Sequence, residues 1–213
     1  MVALSLLEAA DLVQDFYNSP NRPNVVESID LNGVQAYFLK RDILIIPGTN
    51  ELSDWFEFNF DLYNFTPSES HGFEVVAGDS GAKYHAGFLE HARTVYAFAK
   101  SLKPKIIVGH SLGAASAQIV GSSLRVPTIA FASPRTIRGK ANLPWAKFVL
   151  NICRTDDMVT QVPPKLLGFR HIGQVVWMNP QGINFYEDHR IDEYIEIMDE
   201  PHIKPHLPEK WPF

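Results

Sequence analysis

The stretch KIIVGHSLGAASAQIV, residues 105–120, sets a serine between two glycines where an apolar run gives way to small, helix-forming residues. Gly109, Ser111 and Gly113 fit the spacing G-x-S-x-G, the nucleophile elbow. Each position has a physical reason. A serine that must project from a tight strand-to-helix turn is forced into a strained backbone conformation, and bulky neighbours collide there. The helix that follows offers free N–H groups and a field favourable to negative charge. The N–H of Leu112, next in the chain, is then suited to bind an oxyanion.

Such a serine needs a histidine base and a carboxylate to orient that base. In folds carrying this elbow the chain order is serine, acid, histidine. Downstream of Ser111 the histidines are His171, His189, His202 and His206. Asp156 and Asp157 follow the apolar NICR and precede a Pro-Pro loop, the place for an orienting acid, because reacting groups in a parallel sheet collect at the carboxyl ends of strands. His189 stands at a loop-to-helix junction in FYEDHRIDEY. The residues by themselves leave the choice among the four histidines open.

The elements that must hold these groups read as follows. The N-terminal MVALSLLEAADLVQDFY predicts an amphipathic helix, followed by a loop over 18–24. Strands are predicted at 34–39, 42–46 and 73–76, and a helix over 87–103, where Phe88, Leu89, Ala92, Val95, Tyr96 and Ala99 can share a face. The short run 105–108 predicts a central parallel strand and 112–124 a helix. Further strands are predicted at 126–132, 148–153 and 172–178, and a last helix at 189–198. Alternating strands and helices predict one α/β domain over 1–213, a mostly parallel central sheet with helices on both faces. Residues 1–24 form its N-terminal helix and loop, and 200–213, PHIKPHLPEKWPF after Glu200, a tail expected to run extended over the surface with Trp211 as anchor.

Composition limits the partners. The 213 residues are 46% apolar and 20% charged, with net charge −5 and no basic run, which excludes a nucleic-acid binder. No apolar run is long enough to span a bilayer. The one cysteine, Cys153, can form no intrachain disulfide. With no basic start at the N-terminus, this favours a cytoplasmic, bacterial or phage setting. No His/Cys cluster has metal-ligand spacing, so neither metal nor organic cofactor is expected.

Several segments in order resemble the class 3 lipase family, the α/β-hydrolase group that includes the small fungal triacylglycerol lipases. IPGTNELSDW resembles its strand followed by R-G-T and a D-W pair. YHAGF resembles its H-x-G-F, GHSLGAA its elbow, and IAFASPR its T-F-G-S-P-R strand. RTDDMVTQVPP resembles the loop N-D-x-V-P-x-L-P-P, GFRHIGQVVW the strand Y-x-H-x-G-x-x-x-W, and DHRIDEYI the ending D-H-x-x-x-x-Y. The resemblance implies Asp157 as acid, His189 as base, His171 as structural, and Thr49 beside Leu112 as oxyanion donor. The sequence departs from the family at Pro47, where an Arg is usual, at Ala132 in place of a Gly, and at Thr160 in place of a Pro.

The reading is a serine hydrolase of carboxylic esters, with an ester or lipid substrate and transient contact with a lipid interface. Phospholipase, thioesterase, acyltransferase or polysaccharide deacetylase chemistry would use the same triad; a non-catalytic relative would keep only the fold. SDWFEFNFDLYNF holds six aromatics, including Trp55 and Phe56. It reads either as a core strand or as an acyl-binding flap. Trp55, Phe56 and His110 are the candidate substrate contacts. Activity is expected to rise with pH through roughly 6–7, as a histidine base requires.

Overall fold

A computed structural model describes residues 2–18, 24–48, 73–180 and 188–212. Its centre is a seven-stranded sheet in the order β1 (Val25–Leu31), β2 (Val34–Leu39), β3 (Ile43–Ile46), β6 (Ile106–His110), β7 (Thr128–Phe131), β9 (Val149–Arg154) and β11 (Gln174–Met178). From β3 to β11 every pairing is parallel; β1 and β2 add an antiparallel edge. This is the α/β-hydrolase architecture expected from the sequence.

Both sheet faces are covered, which is why its central strands read as unbroken apolar runs. Helices α1 (Leu6–Asn18) and α4 (Ile191–Met198) pack on one face with Ile45, Val108 and Ile152. Helices α2 (Ala86–Leu102) and α3 (Leu112–Leu124) cover the other with Leu44, Ile46 and Ile107. Neighbouring residues of one strand thus enter opposite cores, as the two-residue period of a strand requires.

Three features were not read from the sequence. Strand β1 was missed, although Asn32 and Gly33, with φ of 51° and 77°, make the left-handed two-residue turn that Asn-Gly signals in a hairpin. A second sheet, in the order β10 (Phe169–Arg170), β8 (Ile137–Arg138), β5 (Lys83–His85) and β4 (Val75–Ala77), is wholly antiparallel. Its strands have two or three residues, too few to carry a period. The connections from β7 to β9 and from β9 to β11 also contain 3-10 turns rather than α-helices.

The tail differs from the extended run expected of it. After α4 the chain turns around a 3-10 segment, Lys204–His206, because main-chain bonds from Lys204 and Ile203 to Glu200 close tight turns there. Trp211 does anchor the end: it is 2% exposed, its indole N–H donates to the Phe148 carbonyl, and its backbone pairs with Leu4.

The start of α3 is packed against the end of β3. A Cβ on Gly113 would lie 2.0 Å from the Ile46 carbonyl oxygen and 2.5 Å from that of Pro47. On Gly109 it would lie 2.5 Å from the Gly113 carbonyl oxygen. Backbone cannot move aside as a side chain can. Gly113→Ala is expected to cost about 3 kcal/mol, lowering the thermal midpoint by roughly 6–12 °C. A midpoint within about 1 °C of wild type would show that helix and strand separate freely.

Candidate active site

Ser111 lies between β6 and α3 with φ 60° and ψ −124°, a left-handed conformation costly for a residue with a side chain. The turn is held from both sides: the Ser111 N–H donates to the Phe131 carbonyl at 3.0 Å, and its carbonyl accepts from Ala115 N–H at 3.1 Å. Leu112 opens the helix, so its N–H has no acceptor within α3.

The other two residues meet it. Asp157 follows β9 and caps the 3-10 segment Met158–Gln161, its Oδ1 accepting the Val159 N–H at 2.9 Å. His189 lies just before α4. Its Nε2 is 2.7 Å from Ser111 Oγ and its Nδ1 2.9 Å from Asp157 Oδ2. Ser111 is fully buried, the Asp157 side chain 1% exposed and that of His189 21% exposed, so the imidazole faces outward while its partners do not. A neutral imidazole that donates from Nδ1 to the carboxylate presents an accepting Nε2 to the hydroxyl. That arrangement can take the serine proton.

The remaining histidines have other places. His171 is buried and donates from Nε2 to the Ser133 carbonyl at 2.7 Å, a structural bond. His202 and His206 lie in the tail, His202 with its Nε2 3.3 Å from the Asn179 carbonyl oxygen and His206 at the end of the 3-10 segment. Asp156, the neighbouring carboxylate, pairs with Arg154 and not with His189.

His110, read from the sequence as a candidate substrate contact, is the last residue of β6. It is 4% exposed and both its nitrogens are engaged. The Gly48 N–H donates to Tyr17 Oη at 2.6 Å, and the Tyr17 hydroxyl donates to His110 Nδ1, 2.9 Å away, the accepting nitrogen of a neutral ring whose Nε2 faces a carbonyl. His110 Nε2–H then donates to the His189 carbonyl at 3.0 Å. The relay ties Gly48 to the backbone of His189. Thr49, Trp55, Phe56 and the aromatic stretch lie outside the described residues. Gly48 itself is beside the elbow: a Cβ there would be 2.9 Å from Ser111 Cβ.

Tyr194, in α4, was present in the motif but without a role. Its hydroxyl donates to Asp157 Oδ2 at 2.8 Å and accepts from the Arg154 N–H at 3.1 Å. Its position five residues after His189 gave the only signal. Tyr17 had none, being one more aromatic on an amphipathic helix.

Burial, and then the neighbouring His189, push His110 down to about 3; burial pushes His171 down to about 4. Above pH ~6.5, both are neutral whether folded or unfolded and add no pH dependence. As the pH falls below that value, the unfolded chain takes up two protons that the folded chain refuses. Stability is therefore expected to drop on acidification, the unfolding constant rising about 100-fold per pH unit from these two groups between roughly pH 6 and 4.5. Urea midpoints at pH 7, 6 and 5 check this; a level series would mean that the buried imidazoles can ionise in place.

A largely parallel sheet whose central strand breaks into a strained serine turn, with helices on both faces, is that of an α/β-hydrolase. The profile described as Lipase (class 3) matches residues 43–167, more than half of the chain. The chain belongs to the class 3 lipase family and is a lipase-type ester hydrolase. The matched span includes Ser111 and Asp157; His189 lies beyond it.

Solved structures share the fold. Lipase II from Rhizopus niveus is 19% identical with TM-score 0.57, covering 80% of this chain and 76% of its own. The mono- and diacylglycerol lipase from Aspergillus oryzae is 18% identical with TM-score 0.56, covering 87% and 85%. The lipase from Rhizopus microsporus var. chinensis is 18% identical with TM-score 0.55, covering 96% and 88%. No helix among the described residues is long and apolar enough to cross a membrane.

Proposed function

We propose that Ser111, His189 and Asp157 are the catalytic triad of a hydrolase acting on acylglycerol-type carboxylic esters. Ser111 Oγ bonds to the ester carbonyl carbon while its proton passes to His189 Nε2. The tetrahedral intermediate collapses, the carbon–oxygen bond to the alcohol breaks, and the alcohol leaves with that proton. Water then attacks the acyl-enzyme in the same way, freeing the acid and restoring Ser111. Asp157 keeps the imidazole in the accepting tautomer and stabilises its cation.

The oxyanion is bound by the Leu112 N–H and, in this reading, the Thr49 N–H. The helix start at Leu112 and the passage of Gly48 beside Ser111 support the pair. The acylglycerol substrate is favoured by family membership and by what the Aspergillus oryzae neighbour is named for.

The observation that carries the proposal is the unbroken contact Ser111 Oγ–His189–Asp157, at 2.7 and 2.9 Å. The test is covalent labelling with a fluorophosphonate, read by mass at Ser111, together with turnover of p-nitrophenyl esters from acetate to palmitate and of mono-, di- and triacylglycerols. Stoichiometric labelling with turnover of at least one acylglycerol is expected. Absence of both labelling and turnover would overturn the triad; labelling with turnover of thioesters or sugar esters only would overturn the substrate.

A further inference from the structure

The acid and the base arrive on separate loops, and a buried cation lies between those loops. Arg154, the last residue of β9, is 3% exposed. Its Nε and Nη2 donate to the two oxygens of Asp156, each at 2.9 Å. The same Nη2 donates to Asp188 Oδ1 at 2.5 Å. Nη1 donates to the Glu193 carbonyl at 3.4 Å and lies 3.8 Å from the Glu193 carboxylate. The guanidinium carbon also lies 5.9 Å from the Tyr194 ring centroid. Asp156 immediately precedes Asp157, and Asp188 immediately precedes His189. The Asp156 and Asp188 side chains are 7% and 4% exposed, so both arms of this contact are shielded from water.

We infer that Arg154 is a positioning residue: by bridging Asp156 and Asp188 it sets the separation of Asp157 and His189. The inference rests on the triad proposed above.

The physical case has three parts. The bridge joins the residues directly before the acid and the base, which are 32 positions apart, so a slip in either loop reaches the Asp157–His189 contact without attenuation. A planar guanidinium can hold one carboxylate with two bonds while donating to another; an ammonium on a flexible stem cannot fix both directions. Buried ion pairs are also weak sources of net stability, since the desolvation penalty offsets much of the attraction. Stability alone is thus a poor reason for burying one cation with two carboxylates. Burial works against the charge on Arg154, but the hydrogen bonds and charge of Asp156, followed by the charge of Asp188, outweigh it and keep the guanidinium ionised.

Arg154 touches no reacting atom, so the experiment must separate geometry from folding. Wild-type protein is first titrated to completion with a fluorophosphonate and assayed on p-nitrophenyl butyrate. If it neither labels nor turns over, the triad reading fails and takes this inference with it. Arg154→Lys, Arg154→Gln and Asp188→Ala are then compared by kcat per titrated site, KM and thermal midpoint. Per-site kcat is expected to fall about 100-fold in Arg154→Gln and about 10-fold in the other two, with KM within about 2-fold of wild type. A merely structural residue would lower the titratable fraction and the midpoint, while each titratable molecule turned over at the wild-type rate. That result overturns the inference. Should Arg154→Gln fail to fold, Arg154→Lys and Asp188→Ala decide: unchanged per-site turnover in both overturns it, and a loss in both upholds it.

Discussion

Ser111→Ala is expected to lower kcat for ester hydrolysis by at least about 10⁴, and by as much as about 10⁶, while leaving the fold intact. In the proposed mechanism the Oγ is the atom that bonds to the substrate carbon, so no other group in the elbow replaces it. What remains is binding and oxyanion stabilisation, which alone give a residual rate of about 10³–10⁴ over water. The structural cost is small because the removed hydroxyl bonds to a catalytic partner rather than to the core. The positive φ of residue 111 is retained, since Ala meets the same strain as Ser. The thermal midpoint is therefore expected to stay within a few degrees of wild type. The check is turnover of p-nitrophenyl esters beside circular dichroism. Turnover within about tenfold of wild type in a folded, pure variant would mean that Ser111 is not the nucleophile.

Asp157→Asn is expected to cost about 10⁴ in kcat, although it changes neither size nor shape. The carboxylate accepts three hydrogen bonds: the Val159 N–H at Oδ1, and both His189 Nδ1–H and the Tyr194 hydroxyl at Oδ2. An amide cannot accept at both ends. With its NH₂ toward His189, it meets Nδ1–H donor to donor, and the imidazole relieves this by moving its proton to Nε2. That tautomer points a donor at Ser111 Oγ and cannot take its proton. With the amide turned over, its NH₂ faces the Val159 N–H instead, and the buried cap is lost at a cost of about 1–3 kcal/mol. Catalysis fails in the first orientation and stability in the second. The measurement is kcat together with the thermal midpoint. A variant that kept both would show that Asp157 orients nothing.

How far these outcomes could be foreseen differs from one residue to the next. The elbow was legible because its residues lie within five positions of one another. The Gly109 constraint is set inside the turn, by the Gly113 carbonyl, whereas the Gly113 constraint comes from the Ile46 and Pro47 carbonyls at the end of β3. The parallel strands were legible for a similar reason, since burial on both faces leaves an unbroken apolar run such as IIV before Gly109. The small second sheet was not, because strands of two or three residues are defined by their partners and carry no period; nor was the edge strand β1, whose largely exposed VVESIDL shows no clear apolar alternation.

The residues around the triad divide along the same line. Local spacing named Ser111 and limited the acid to Asp156 or Asp157; family resemblance pointed to Asp157 and His189. Only the folded chain turns Asp156 toward Arg154 and Asp157 toward His189, although the two carboxylates are chemically alike and adjacent. It likewise places His110 in a relay from Gly48 through Tyr17 to the His189 carbonyl. The contacts of Arg154 with Asp188, of Tyr17 with Gly48 and His110, and of Tyr194 with Asp157 span 31 to 93 positions along the chain, and no spacing rule operates over that distance. The sequence by itself determined the candidate nucleophile, the sheet that carries it and the order in which its proposed partners follow, because motif spacing and apolar runs are written within a few residues. Which atoms meet was decided by the packing of α1, α4 and the β9 loop around Ser111, a property of the tertiary structure alone.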